Sequence, residues 1–513
     1  MAGRADEPTA EVSRHTVPTL RAAYRRVSLS DSFGRVVPTV RCFTLTRVSQ
    51  TMRPFRLTDD KQFTQIGRDE MSTSWKTGEP LPGTEVAVVG GGLAGLAAAT
   101  ILGRAGRAAV VFEKASHPGG RAVTTRSGPF SFNLGPHAVY EAGAGKQVLC
   151  RLGIEPRGGV VTGNGAQGLR RGRLAPLPST PASLASTSLL GVRGKLEFAR
   201  LLAGLGRLDV EQLQNVSVAE WLDRELRQPD ARQLVETLLR VSTYAADTRR
   251  LSAGTALAQL QRAMSASVRY LDGGWQTLVD QLRAAAEAAG VRIVTGARVV
   301  DVAYDEGVRE VRLADGTAWS VSATILAVAP SEAASMVAGR AHATLAAWAA
   351  AAQPVLAASL DVGLARLPRP RLTYVFGVDE PLYLSVHSKY AKLGPEGTAM
   401  IHVMRYLDET APADPAEIER QLEGLLDLAQ PGWRDVVVAR RFLPRLVVAN
   451  ALPTAAQGGA PGRPGPAVPD VAGLYVAGDW VGPEGLLSDA ALASAESAAL
   501  AALQAASPAR AVA

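Results

Sequence analysis

Four residues define the first chemistry this chain could perform: Gly90, Gly92, Gly95 and Glu113. The glycines stand in GxGxxG spacing. Gly90 would let the chain turn sharply, Gly92 has no Cβ to hold a diphosphate off the backbone, and Gly95 lets a helix pack closely on a strand. A helix opening at Leu93 and Ala94 would aim its unpaired N–H groups and positive dipole end at phosphates. Glu113 lies 23 positions after Gly90. At that distance a carboxylate accepts hydrogen bonds from a ribose diol and disfavours a 2′-phosphate, pointing to FAD or NAD rather than NADP.

The elements needed to position those residues can be read around them. Val86–Val89 is a short β-branched run, an Ala/Leu-rich helical stretch runs to about Leu102, and Val110–Phe112 ends on Glu113. That is strand, turn, helix, strand and acid, the order of a dinucleotide-binding βαβ unit. The segment Gly163–Gly168 repeats the spacing, but Arg170, Arg171, Arg173, Pro176, Pro178 and Pro181 come after it. No helix is expected there, and it reads as a loop. Residues 86–103 are 18 uncharged positions, enough to raise a membrane-span reading. The nucleotide unit accounts for the four glycines among the first ten; a span does not.

Three further segments could join the site. Gly119-Gly120-Arg121 offers a backbone loop and a guanidinium to a diphosphate. The stretch 130–140, FSFNLGPHAVY, brings Gly135, Pro136, His137 and Tyr140. Near the C-terminus, Gly473–Trp480 is a short strand ending in Gly478-Asp479, followed by Gly485-Leu486-Leu487-Ser488 and a helix from about Asp489 to Leu503.

GGGLAG, FEK (with Lys114 after Glu113), PGGR and NLGPH together resemble the flavin amine oxidase and phytoene desaturase superfamily. The resemblance recurs at Tyr270–Trp275 and at the C-terminus. It implies an α/β architecture, with a Rossmann-like FAD-binding domain of the p-hydroxybenzoate hydroxylase type and a mixed α+β substrate domain. It further implies that Val299 passes the adenine through its backbone and that Asp479 binds ribityl or pyrophosphate oxygens. The helix N-terminus at Leu486 and Leu487 would face the flavin N1/O2 edge and stabilise reduced flavin. No counterpart of the covalent-flavin cysteine of the amine oxidases lies near the C-terminus, so FAD is expected to be non-covalent.

The chain has 513 residues, 48 of them arginine and 7 lysine, with a formal net charge of +7. Ten arginines face four acids in the first 58 residues. The rest is close to neutral, without the basic stripe and interleaved aromatics of a nucleic-acid binder. Two cysteines, Cys42 and Cys150, and six scattered histidines suggest no metal site, and a cytoplasmic location is expected. The expected organisation is a disordered or mis-started segment at 1–80 (an internal start at Met71 would fit, and a targeting peptide competes), then FAD-binding parts at 84–175, 271–335 and 471–505. Substrate-domain parts fill 176–270 and 336–457, and a Gly/Pro linker 458–470. Leu189–Leu208, with Arg193, Lys195, Arg200 and Arg207, suits a buried helix face or a peripheral membrane contact.

One nucleotide unit taken by FAD leaves no second one for NAD(P)H. The expected activity is two-electron oxidation or desaturation of a small organic, apolar substrate by hydride transfer to flavin N5. A diffusible acceptor, oxygen or a quinone, would complete the cycle. An amine or amino-acid oxidase releasing peroxide and a flavin-free lipid-escort protein on the same fold are the alternatives. His137 is the leading acid–base candidate, ahead of Tyr140, Tyr244, Asp247, His387 and Arg440.

Overall fold

The computed structural model describes residues 86–163, 165–408, 414–469 and 471–505. The N-terminal expectations, including Met71 and Cys42, therefore lie outside the described residues. Strand β1 (Val86–Val89), helix α1 (Leu93–Arg104) and strand β2 (Ala109–Glu113) form the βαβ unit. β1 and β2 are the middle of a five-stranded sheet completed by Arg292–Thr295 beside β2, then Ala323–Leu326 and Leu474–Val476 beyond β1. All four pairings are parallel. Every residue of β1 and β2 is buried, as a parallel sheet covered on both faces requires.

One face carries α1, the helix Gln276–Ala288 and the C-terminal helix α2 (Leu487–Ala505). Their contact is made by Leu96, Leu102, Leu278, Leu282, Leu492 and Ala498. The other face carries the antiparallel strands Val299–Tyr304, Val308–Leu313 and Ala318–Ser320. Trp319, Val302 and Val311 of these pack on Phe112 and Val476.

The substrate part is built on a seven-stranded sheet. Its core is Val355–Leu364, flanked antiparallel by Ala399–Leu407 and Val437–Ala449. Helix Pro415–Ala429 covers one face through Ile418, Leu422 and Leu426. Helices between Pro181 and Ala266 bury Phe198, Trp221, Leu234 and Leu257 in a separate core. Leu196, in the stretch read as a buried helix face or a membrane contact, points outward and is 68% exposed.

The second glycine segment departs from its sequence reading. Ala166–Arg170 and Arg173–Pro176 form a hairpin, not a loop, and Ala166–Arg170 pairs in parallel with Tyr374–Gly377. Arg171 and Gly172 both take positive φ (51° and 71°), the geometry of a two-residue hairpin turn. This hairpin belongs to the substrate sheet, so the chain leaves the nucleotide-binding part before residue 166 rather than at 175.

Candidate active site

The turn after β1 leaves room for a diphosphate. Gly92 caps α1 in extended conformation, no side chain caps its N–H groups, and no acid occupies the first turn. A Cβ on Gly92 would meet nothing within 4 Å; one on Gly95 would sit 1.9 Å from the Gly90 carbonyl oxygen. Gly92 therefore keeps the approach open and Gly95 keeps the helix against the strand. Gly90 has φ +104°, and a Cβ there would press on the Ala327 carbonyl at 2.6 Å. Glu113 is 6% exposed; its Oε2 accepts the Gly91 N–H at 2.7 Å and its Oε1 the Ala115 N–H at 2.8 Å. Each carboxylate oxygen keeps a second lone pair for a ribose hydroxyl. Lys114 pairs with Glu332 along the same edge.

The second loop folds onto the first. The Gly119 N–H bonds the Gly91 carbonyl at 2.9 Å, and a Cβ on Gly120 would lie 3.5 Å from the Gly92 Cα. Arg121 Nη1 then reaches the Asp479 carboxylate at 2.7 Å and the Val448 carbonyl at 3.0 Å. Asp479 also accepts the Asn450 N–H at 3.0 Å and its side-chain amide at 2.8 Å. Burial alone would raise this carboxyl; Arg121 and Asn450 outweigh it and hold it below the ordinary range. Oδ2 is engaged by Arg121 and the Asn450 N–H, while Oδ1 accepts only the Asn450 amide and keeps a second lone pair. Asp479 thus aims Arg121, and it also lines the cavity where the expected contact with ribityl or pyrophosphate oxygens would be made.

Asn450 and Arg463 were missed in the sequence. Arg463 sits in the Gly/Pro run, which contains the short 3₁₀ turn Ala460–Gly462. It donates to the Asp479 carbonyl at 2.9 Å and the Gly485 carbonyl at 2.8 Å, bracing both C-terminal loops. Burial lowers its pKa to about 10, so it stays cationic at neutral pH. An arginine among glycines and prolines carries no local pattern that would mark it.

These segments converge on one cavity of about 770 Å³, within the range of ligand and cofactor sites. Gly90, Gly92, Leu93, Ala94, Glu113, Lys114, Gly119, Gly120 and Arg121 line it, as do Pro136, His137, Val299, Gly478, Asp479 and Leu487. Gly95, Gly135, Gly485 and Leu486 stand outside its lining. Gly135 backs onto Ser359 and Leu446, and Gly485 onto Asp489. Leu487, with φ 56°, brings the start of α2 to the cavity together with Ser488 and Ala491. No cysteine is among the lining residues.

Beyond His137 the cavity becomes an aromatic chamber. His137 Nδ1 lies 3.1 Å from the Gly135 carbonyl, and its ring meets Trp275 edge-on at 5.1 Å. Burial lowers its pKa to about 4, leaving it neutral at physiological pH. Tyr140 donates its hydroxyl to the Ser242 carbonyl at 2.8 Å and Tyr244 to the Pro136 carbonyl at 3.3 Å. The hydroxyls of Tyr270 and Tyr383 face each other at 3.4 Å. With these four phenol oxygens facing protein partners, their rings are left as walls; Tyr374, also in the lining, keeps a buried hydroxyl without a hydrogen-bond partner among the described residues. The seven charged lining residues are Glu113, Lys114, Arg121, Arg298, Glu332, Arg445 and Asp479. None of the chamber-lining segments 134–163, 238–275 and 374–404 contributes one.

The remaining acid–base candidates fall away. His387 is buried behind Tyr270, stacked on it at 3.7 Å, and does not line the cavity. Asp247 is tied to Arg250, and Arg440 pairs with Glu419 and Glu423 on the surface. Among the described residues no cluster of His, Cys, Asp or Glu could hold a metal.

A cradle that a Cβ would fill, an uncapped helix end, a buried acid and a guanidinium beside the loop fit a dinucleotide. Comparison with known proteins agrees. Putrescine oxidase, bound to putrescine, is similar in fold, with TM-score 0.64 and 18% identity over 82% of this chain and 99% of that one. An L-amino acid oxidase (Cdc18) of Crotalus durissus cumanensis is 39% identical over 82 residues, 16% of this chain and 15% of that protein. Carotenoid phi-ring synthase of Streptomyces griseus is 30% identical over 192 residues, 33% and 36% of the two chains. The matches thus span 15% to 36% of these relatives' length. A profile described as flavin containing amine oxidoreductase covers residues 93–503. The chain therefore belongs to the flavin-containing amine oxidoreductase family and is an FAD-dependent oxidoreductase.

Proposed function

We propose that this enzyme oxidises or desaturates a neutral, apolar organic molecule by removing two electrons, with oxygen or a quinone as the diffusible acceptor. The observation that carries this reading is the chamber beyond His137. It is walled by Tyr140, Tyr244, Tyr270, Phe376 and Tyr383, and the chain segments that supply these rings contribute no charged side chain to the cavity. A carboxylate placed there would lose its hydration without a partner, and an ammonium would find only the faces of the rings. FAD, when bound, would supply a two-electron acceptor. The cradle at Gly90–Ala94, Glu113 and Arg121 would hold its nucleotide end. The aromatic walls would position the substrate and exclude water, and neutral His137 would accept the proton at its ring.

A second reading, oxidation of an amine or amino acid, is supported by the likeness to putrescine oxidase and by exposed Arg445 on the cavity edge, where it could anchor a carboxylate. The flavin-free escort reading loses ground, since the open turn at Gly92 and the Glu113 clamp are both kept. A cytoplasmic location goes with the main reading, supported by the sparse cysteine usage. No helix among the described residues is long and apolar enough to cross a membrane.

The test is anaerobic mixing of the flavoprotein with neutral polyenes, amines and amino acids. The expected result is loss of the flavin's visible absorbance with the apolar compounds only. Reduction by amines or amino acids, with peroxide released on admitting air, overturns the reading in favour of the second.

A further inference from the structure

We propose that the helix Val192–Leu205 and the cavity mouth at Met264 form a face that docks on an anionic lipid bilayer. Val192 and Leu196, one turn apart, are 79% and 68% exposed. The same helix buries Phe198 and Leu205 on its inner side, so its outer apolar residues are not needed for the core. Arg200 continues the outward side, Arg207 is exposed in the turn just past the helix end, and Arg193 is exposed next to Val192. The acid within the helix turns away from that side: Glu197 accepts the Arg227 and Gln228 N–H groups at 3.1 and 2.9 Å. What faces outward is apolar and cationic, the pattern that suits phosphate headgroups over hydrocarbon.

A second observation joins this face to the cavity. Gln261 donates its side-chain amide to the Leu205 carbonyl at 2.7 Å and the Leu208 carbonyl at 3.3 Å. That fastens the end of the basic helix to the helix Ala253–Ala266. Met264, three residues beyond Gln261, is 54% exposed and also lines the cavity. The chamber therefore reaches the surface there, beside Val161 and Ser267. Ser267 donates its hydroxyl to the Val161 carbonyl at 2.6 Å, closing that rim, and the adjacent Val160 is 37% exposed. Leu196 lies nine residues from Leu205, about 14 Å along the helix at 1.5 Å per residue. An apolar molecule dissolved in the bilayer would enter the chamber without crossing water. This supply route rests on the apolar-substrate reading; the docking itself does not.

The test is co-sedimentation of the full-length, FAD-loaded protein with vesicles, in the absence of substrate. The protein is expected to pellet with vesicles of phosphatidylcholine mixed with phosphatidylglycerol, to stay in solution with phosphatidylcholine alone, and to be released by salt. Leu196→Glu should abolish pelleting. Arg200→Glu with Arg207→Glu should weaken it at least tenfold, since each basic side chain near an anionic surface strengthens binding about fivefold. All three side chains are exposed, so flavin content and circular dichroism should not change. Absence of pelleting with the anionic vesicles overturns the proposal, as does pelleting that survives both variants. A dimer in sedimentation velocity that Leu196→Glu dissolves would also overturn it, marking the face as a contact between copies. Vesicle binding together with flavin reduction by amines would remove the apolar-substrate reading and leave the docking intact.

Discussion

Two segments of this chain, Gly90–Gly95 and Gly163–Gly168, carry the same glycine spacing and do different work. The first turns out of β1 and starts α1, with its middle glycine facing open space. The second turns into a strand of the substrate sheet, and its last glycine, Gly168, is packed so that a Cβ would lie 2.5 Å from Leu189 Cδ1. The spacing grants conformational freedom; the residues that come next decide its use. After Gly92 come Leu93, Ala94 and a run of helix formers that expose N–H groups to a ligand. After Gly165 come Ala166 to Arg170 and a turn at Arg171-Gly172, which put the backbone into a ladder. A glycine pattern becomes a nucleotide site only when a helix starts inside it.

The comparison can be broken most sharply at Gly95. Gly95→Val would drive a side chain into the Gly90 carbonyl, whose oxygen would be 1.9 Å from the Cβ. Both partners are backbone and cannot yield by changing rotamer. The expected loss is about 4 kcal/mol or more, the range of severe core clashes, seen as a fall in the unfolding midpoint even without FAD. Gly92→Val separates fold from function. Its Cβ meets no protein atom within 4 Å, so the flavin-free protein should lose only about 1 kcal/mol, the cost of a poorer residue at the helix N-cap. It should nevertheless purify colourless, because the new methyls occupy the diphosphate space. Normal flavin content would show that the phosphates lie elsewhere.

Glu113→Ala is expected to act on both levels at lower amplitude. The carboxylate holds the Gly91 and Ala115 N–H groups and faces the cavity. Removing it should weaken FAD by about 1–3 kcal/mol, the loss typical of hydrogen bonds to a charged group, read by titrating flavin-free protein with FAD. Unchanged affinity with lowered stability would mean that the acid serves the turn alone.

Legibility in the sequence tracked contiguity. β1, α1, β2 and Glu113 lie within 28 residues, and each residue's type states its task. Gly478-Asp479 was legible as a place, but its protein partners were not, because Arg121 and Asn450 are far away in the chain. The hairpin 166–176 was hidden by its arginines and prolines, which mask the strands' side-to-side alternation. The aromatic chamber could not be assembled in advance. Tyr140, Tyr244, Tyr270 and Tyr383 come from four separate segments, and each alone reads as an ordinary core residue. Only the pairing of strands and the placement of helices brings their rings together.

The second glycine segment gives the smallest effects, and they complete the comparison. Gly168→Ala should overpack the contact with buried Leu189, lowering stability by about 1–3 kcal/mol while leaving FAD affinity untouched. Gly163→Ala is milder still. Gly163 has φ +69°, and a Cβ there would meet nothing within 4 Å, so only left-handed backbone strain remains, about 1 kcal/mol. Gly163 does line the cavity, but at the Val161 rim rather than in the cradle. Flavin retention should therefore match the parent in both variants. Loss of flavin from either would mean that the two glycine segments share one ligand, and the contrast between a cradle and a strand entrance would fail.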